Sequence, residues 1–504
     1  MEKSEMWLLC AALAVSVIFY LTTIVSRRRD GGSRLPPGPT PLPIVGNLLS
    51  LGGIIHQTLA GLARVHGPVM TLKLGLTTAV VVSSRDAARV AYTKHDQRHA
   101  ARAVPDAFRG SGYSERSVAF SPSSDPQWKH LRGINATHIF SPRSLAAVRA
   151  IRERKVREIV AYFRAHAGEE MVFGDVLHNG MLNVMSSCFF SVDMADVGSE
   201  SALGLRHLIE GIIELVSKPN VSDFFPFLRQ LDLQGLRRQT GRSLDRACGI
   251  LDGIIERRLD DSRDNPAGKH GDFLDALIEL FDAGKLQRYH LTYLLFDVIV
   301  AGADTMSLTL AWVMAELLHN PSVMAKARAE LIDVLGSKEA VEEPDTARLP
   351  YLLAVVKEAL RLHPVGPLLM PHFAVEDGIE IDGYTVPRGS SVIFNVWAIM
   401  RDPAVWERPD EFVPERFLER SPPLDFRGRE YEFLPFGSGR RLCPGIPLAE
   451  RVVPFVLASL LHEFEWRLPD GMSPEEMDMT EKFSTANMLA TPLRTVPIIA
   501  SNSS

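Results

Sequence analysis

Phe436-Gly-Ser-Gly-Arg-Arg-Leu-Cys-Pro-Gly445 decides how the rest of the chain is read. It sets one cysteine, Cys443, among Gly437, Gly439 and Gly445, which permit turns and close backbone approach that β-carbons would block. Backbone N–H groups can then point at the sulfur. The residues after Pro444, Ile446-Pro-Leu-Ala-Glu-Arg-Val-Val453, read as a helix start whose partial positive charge favours a thiolate. Arg440 and Arg441 beside it can meet anionic groups. Most lone cysteines are small buried hydrophobes, and Cys188 and Cys248, in apolar helical surroundings, read that way. Cys443 does not.

Outward from this loop, the 504 residues contain four cysteines, Cys10, Cys188, Cys248 and Cys443, which share no short spacing. That excludes a disulfide framework and a zinc knuckle, and it points to a reducing compartment. Hydrophobic residues make up 46% and charged residues 23%, as in a folded globular protein. With 55 basic against 61 acidic residues the net charge is -6, so nucleic acid is set aside as a partner. From Gly46 onward long helical patterns mix with short strand patterns, without repeats or an interior linker. Met70 to Ser83 predicts a strand pair about Gly75, and Ile379 to Val386 a hairpin about Asp382-Gly383. Helices are predicted over Ser144–His166, Arg242–Ser262 and Arg288–His319, the last stopped by Pro321. The expected fold is mainly α with small β-sheets, in one body over 46–504.

Met6 to Val25 is an apolar run of about 20 residues, long enough to span about 30 Å as a helix. Arg27-Arg28-Arg29 follow it and predict a cytosolic C-terminal side. A cleaved signal peptide fits less well, since the basic cluster lies on the wrong side and no small-x-small site follows. Residues 1–29 therefore read as a membrane anchor, transmembrane over about 6–25. Residues 30–45, with five prolines between 36 and 43, read as a stiff hinge. The sequons at Asn135, Asn220 and Asn502 should stay unmodified on the cytosolic side.

A single thiolate, supported by donors and without a second sulfur, suits an axial ligand of haem iron, where it pushes electron density toward O–O cleavage. The pattern Phe-x-x-Gly-x-Arg-x-Cys-x-Gly around Cys443 resembles the signature of the cytochrome P-450 family, and the resemblance runs from the anchor to the C-terminus. It implies haem b bound through Cys443, with Phe436 packed over the thiolate and Gly437 and Gly445 shaping the loop. Trp128 and Arg132 match a Trp-x-x-x-Arg motif whose side chains reach a haem propionate. Arg441 matches a further propionate contact, and His372 falls where Arg or His faces the other propionate. Glu358 and Arg361, three apart on a helical pattern, resemble with Arg416 the family's structural Glu-Arg-Arg triad. Ala301-Gly-Ala-Asp-Thr-Met306 matches the distal-helix motif. There Gly302 is expected to loosen the helix, while Asp304 and Thr305 deliver protons to bound dioxygen. Met306 stands where Thr or Ser is usual.

The implied activity is that of a haem-thiolate monooxygenase on the endoplasmic reticulum membrane, catalytic domain in the cytosol. It would use O2 and NADPH electrons passed on by NADPH-cytochrome P-450 reductase. Lys129, Arg132 and Arg440 are candidates for docking that reductase. Pro219 to Leu228 and Leu231 to Gly235 resemble the geraniol-hydroxylase-related plant group, which oxidises monoterpenoids and, in grasses, labdane-related diterpenes for defence. Phe120, Ala301, Val365, Leu368, Leu369, Met488 and Leu489 are the expected pocket, apolar enough for a diterpene hydrocarbon. Monoterpenols, phenolics or xenobiotics are the alternative substrates. A reductase-independent haem-thiolate isomerase and a non-enzymatic haem protein are the rival classes, and the intact Asp304-Thr305 pair argues against both.

Overall fold

The protein is described by a computed structural model over residues 34–194, 200–264, 268–336 and 338–500. The anchor expected at Met6 to Val25, the arginines that follow it and Asn502 lie outside the described residues. Apolar residues recurring every three or four positions turn most of the chain into helix, and short β-branched runs supply the strands. Among the described residues, counting helices of eight residues or more, the first six are α1 (Ile55–His66), α2 (Arg85–Lys94), α3 (Pro126–Ile134), α4 (Arg149–Ala165), α5 (Phe173–Phe190) and α6 (Glu200–Ser217). The remaining six are α7 (Leu236–Asp264), α8 (Phe273–Asp282), α9 (Arg288–His319), α10 (Pro321–Leu335), α11 (Pro350–Leu362) and α12 (Ile446–Glu463).

The largest sheet begins with the expected pair, β1 (Val69–Leu74) and β2 (Thr77–Val82), turned at Gly75. It continues through β3 (Ala101–Arg102), β5 (His372–Phe373) and β8 (Ser391–Phe394) in the order β1-β2-β8-β5-β3. β4 (Met171–Val172) pairs with the C-terminal strand β12 (Arg494–Ile499), which also pairs with β9 (Phe464–Arg467). The hairpin expected at Ile379 to Val386 forms as β6 (Ile379–Ile381) and β7 (Tyr384–Val386), and a second one joins β10 (Glu481–Phe483) to β11 (Asn487–Leu489).

At the centre lies α9, packed against α5, α7, α11 and α12. It is long and apolar enough to cross a bilayer, yet its apolar window is 67% buried inside the fold, which makes it a core helix. Gln287 caps its start, and Pro321 opens the next helix two residues past its end. Two expectations change. The helix predicted over Ser144–His166 is two helices, Pro142–Ala147 and α4, because Val148 leaves helical geometry at φ -94, ψ 11. α7 runs longer at both ends than Arg242–Ser262, since the turn at Gly235 (φ 65) lets it start at Leu236. The described part of the stiff proline hinge is held against the body that it leads into. Thr71 donates its N–H to the Pro37 carbonyl at 2.7 Å, and a β-carbon on Gly38 would stand 2.0 Å from the Thr71 oxygen. The prolines thus lie along β1, where a chain lacking N–H donors can still accept.

Candidate active site

Cys443 lies between a short 3-10 turn, Gly439–Arg441, and the first turn of α12. Its N–H donates to the Phe436 carbonyl at 3.1 Å, closing the loop on itself. Gly437 (φ 74) and Gly439 (φ 65) take left-handed conformations, and a β-carbon on Gly439 would stand 2.3 Å from an Asp96 carboxylate oxygen. Gly445 departs from the expectation. Its φ is -80, and a β-carbon there would meet the Cys443 sulfur at an ordinary 3.7 Å. What Gly445 supplies is its N–H, which points at the sulfur together with that of Ile446. Burial pushes the Cys443 thiol up, while those two donors and Arg132 favour the thiolate. Phe436 lines the adjoining cavity, its ring 5.3 Å from that of Phe426.

That cavity, about 990 Å³, runs between the cysteine loop and α9. Arg132, Arg441, Trp128 and His372 all line it. The Trp128 indole donates to the Val118 carbonyl at 3.0 Å. Arg441 donates to the carbonyls of Ala100 (2.8 Å), Val118 (3.1 Å) and Ser121, so both side chains brace the 118–121 loop. Arg132 donates to the Leu442 carbonyl at 2.8 Å. Arg102, on β3 opposite His372, also lines the cavity, and its buried Nε has no partner. Nothing local marks Arg102 in the sequence; the strand pairing alone brings it here.

These groups form a positively charged edge short of anions. Burial, with Arg132 close by, pushes Arg102 down to about 10. Burial, Arg102 and Arg132 push Arg441 down to about 9. Burial and Arg102 hold His372 well below the usual histidine range. Asp96 is committed to Arg440, whose Nε it accepts at 2.7 Å. A planar apolar group carrying two carboxylates, held beside a sulfur with two N–H donors, would supply the anions that this edge lacks, that for Arg102 Nε first among them. The residues present therefore fit haem. Of the residues expected to dock the reductase, Arg440 pairs with Asp96, Arg132 donates to the Leu442 carbonyl and Lys129 is exposed.

On the distal side α9 is α-helical without interruption from Arg288 to His319. Gly302 does not loosen it. A β-carbon there would stand 2.3 Å from the Met185 methyl, so the glycine admits α5. Ala301 and Thr305 line the cavity, and the Thr305 hydroxyl donates to the Ala301 carbonyl at 2.8 Å. Asp304, about 100° around the helix from its neighbour, turns away. Its carboxylate meets His178 Nδ1 on α5 at 3.0 Å.

Eight residues before Thr305, Asp297 also lines the cavity. It accepts from Tyr113 Oη (2.6 Å), Ser117 Oγ (2.7 Å) and the Val118 N–H (2.7 Å), tying the wall loop to α9. A lone acid within Leu294-Leu-Phe-Asp-Val-Ile-Val300 was a legible signal that the sequence reading passed over. Burial pushes the Asp297 carboxyl up to about 6 despite those donors. Its contribution to stability is therefore full in acid and is lost as pH rises from about 4 to about 6, by up to about 3 kcal/mol. Asp297→Asn should remove that part of the pH slope, measured as the difference in denaturant midpoint between variant and parent at each pH.

Glu358, Arg361 and Arg416 come together as one buried group: Arg361 Nε and Nη2 reach Glu358 at 2.7 and 2.9 Å, and Arg416 Nε at 3.0 Å. Of the expected pocket, Ala301, Val365, Leu368 and Leu369 line the cavity. Phe120, Met488 and Leu489 do not. Phe120 packs behind the wall on Phe108 and Tyr113, at 4.9 and 5.9 Å between ring centroids. Met488 and Leu489 pair back along β10, opposite Lys482 and Glu481, so the hairpin tip delivers Thr485 and Ala486 instead. A buried carboxylate holds that tip: Glu481 meets His56 (2.7 Å), Asn487 (2.9 Å) and His363 (3.3 Å).

A family profile described as cytochrome P450 matches residues 36–492. The chain belongs to the cytochrome P450 family. It is a monooxygenase of the plant type, and its cofactor is haem. At 69% identity over 99% of both chains it is similar to oryzalexin E synthase of Oryza sativa subsp. japonica. It is 64% identical to ent-cassadiene C11-alpha-hydroxylase 1 from the same plant, over 99% of this chain and 100% of that one. Cytochrome P450 76C2 of Arabidopsis thaliana is 41% identical over 99% of this chain and 98% of its own.

Proposed function

We propose that this enzyme hydroxylates a diterpene hydrocarbon, or a terpenoid close to one, in plant defence metabolism. The observation that carries this is the cavity wall facing Cys443. Val298, Ala301, Val365, Leu368 and Leu369 give it a hydrocarbon surface that recognises shape. Similarity of 64–69% to rice proteins named for oryzalexin and ent-cassadiene chemistry supports the same reading. The assigned roles follow the geometry. Cys443 would hold the iron and Arg102, Arg132 and His372 would meet the propionates, while Trp128 and Arg441 brace the loop beside them. Haem bound this way supplies dioxygen activation and transfer of one oxygen atom to a C–H bond. Thr305, its hydroxyl hydrogen spent on the Ala301 carbonyl, offers lone pairs to the cavity and holds a proton donor at that face. Asp304 supplies the proton from behind.

The anchor over 1–29 and the hinge over 30–45 remain part of this proposal, with the catalytic body over 46–504 in the cytosol. Exposed Leu42, Ile44, Leu49, Leu76, Phe227 and Leu231 support it. Leu76 donates its N–H to the Phe224 carbonyl at 2.9 Å, which joins the β1–β2 turn to the 224–231 segment on the side where the described chain begins. Electrons are assigned to NADPH-cytochrome P-450 reductase, with exposed Lys129 at the cysteine side.

Microsomes containing the enzyme and a reductase, fed a panel of diterpene hydrocarbons including ent-cassadiene, should give hydroxylated products by mass spectrometry. Turnover confined to monoterpenols, phenolics or fatty acids would overturn the substrate class, and NADPH-independent turnover would favour an isomerase. Thr305→Ala should cut product about a hundredfold while NADPH oxidation continues and peroxide accumulates. A tightly coupled variant would remove Thr305 from proton delivery.

A further inference from the structure

Asp304 does not look into the cavity, and this raises the question of what feeds it. Its carboxylate meets Nδ1 of His178 at 3.0 Å, and the other ring nitrogen, Nε2, lies 3.7 Å from the Glu210 carboxylate. His178 belongs to α5, Asp304 to α9 and Glu210 to α6, so one imidazole joins three helices. Arg206, one turn before Glu210, holds that carboxylate at 2.8 Å and reaches Asn179, the neighbour of His178, at 2.5 Å. The His178 side chain is 25% exposed and that of Asp304 30%. Both side chains therefore touch solvent, and the ring is the group that holds the Asp304 carboxylate at hydrogen-bond distance.

We infer that His178 is the positioning residue that loads Asp304 with protons, linking the acid behind Thr305 to the surface charges of α6. The step balances simply. The imidazolium gives its Nδ1 proton to the Asp304 carboxylate, leaving neutral imidazole and a carboxylic acid, and solvent beside Glu210 reprotonates the ring. An imidazole is suited to this because it can hold a proton at either end, where a lysine or an arginine at the same place would only fix the carboxylate. The charged groups facing His178 are Asp304 from α9 and Glu210 from α6, with Arg206 on the far side of Glu210.

This inference rests on Asp304 serving proton delivery, and the test separates the two. The diterpene with the largest wild-type turnover in the panel above serves as the substrate probe. His178→Gln keeps a donor to Asp304 but cannot pass a proton through its side chain. It should raise peroxide released per NADPH about threefold or more, shift the pH dependence of coupling and enlarge the solvent isotope effect, with the spectral dissociation constant for substrate unchanged. In 13C-histidine spectra of the diamagnetic carbon monoxide complex, the resonance missing from His178→Gln identifies the ring. Asp304→Asn should then move that resonance, as expected for a ring that has lost its carboxylate partner. If His178→Gln couples like wild type across pH while Asp304→Asn uncouples, His178 is merely structural and the inference is overturned. If Asp304→Asn itself stays coupled, the proton role of Asp304 fails instead. Should His178→Gln fold poorly, His178→Asn serves as the second variant, with the same readouts.

Discussion

Cys443→Ser should yield a folded protein without the red-shifted ferrous–carbon monoxide band and without oxygen-dependent product. The physical grounds are specific to the loop. Gly445 and Ile446 aim N–H groups at the sulfur and Arg132 adds positive charge, an arrangement that stabilises a soft anion against the burial that opposes it. A serine hydroxyl at the same position is ionised far less readily and binds iron as a harder ligand. The substitution removes one atom's identity from a half-buried position, so the far-ultraviolet circular dichroism and the denaturant midpoint should stay close to wild type. Persistence of the red-shifted band would exclude Cys443 as the ligand.

The second large effect belongs to Glu358, whose side chain is fully buried. It accepts from Arg361 twice, from Arg416 and from the Val413 N–H at 2.9 Å. Arg361, itself fully buried, spends its other donors on the carbonyls of Met400, Pro409 and Glu411. The two arginines thus tie α11 to the 400–416 segment that leads to the cysteine loop. Glu358→Gln leaves two guanidinium groups facing each other without a counter-charge, and breaking a buried pair in this way costs about 3–5 kcal/mol. The expected result is a lowered thermal midpoint and little pigment after purification. Arg416→Lys, which keeps the charge but loses the planar fork, should lose less. A pigmented Glu358→Gln protein with an unchanged midpoint would show that the group adds shape and no stability.

The rival classes separate on the same geometry. An isomerase or a simple haem carrier has no need of a proton line behind the distal helix. Here His178 meets Asp304 on the back of α9, and Thr305 lines the cavity on its front, the two ends that the proposed relay would join. The Asp297 carboxyl, two turns earlier on α9, is occupied with the wall loop.

By itself the sequence determined whatever depends on near neighbours. The bounds of α9 were legible because its capping residue and its terminating proline are adjacent to it in the chain. The Cys443 loop was legible because turn glycines, the thiolate and the following helix start lie within ten residues, and Glu358–Arg361 because three residues is one helical turn. Tertiary structure alone decided which groups meet across distance. It set Asp96 against Gly439 and Arg440, Arg102 beside His372, and His178 on Asp304. It also chose Thr485 and Ala486 over Met488 and Leu489 for the cavity and laid the proline hinge along β1. The reason is physical. Backbone torsions and i to i+4 contacts are fixed by adjacent residues, whereas a buried charge takes its partner from whichever element packs against it, and strand register sets which residue of a hairpin reaches the site.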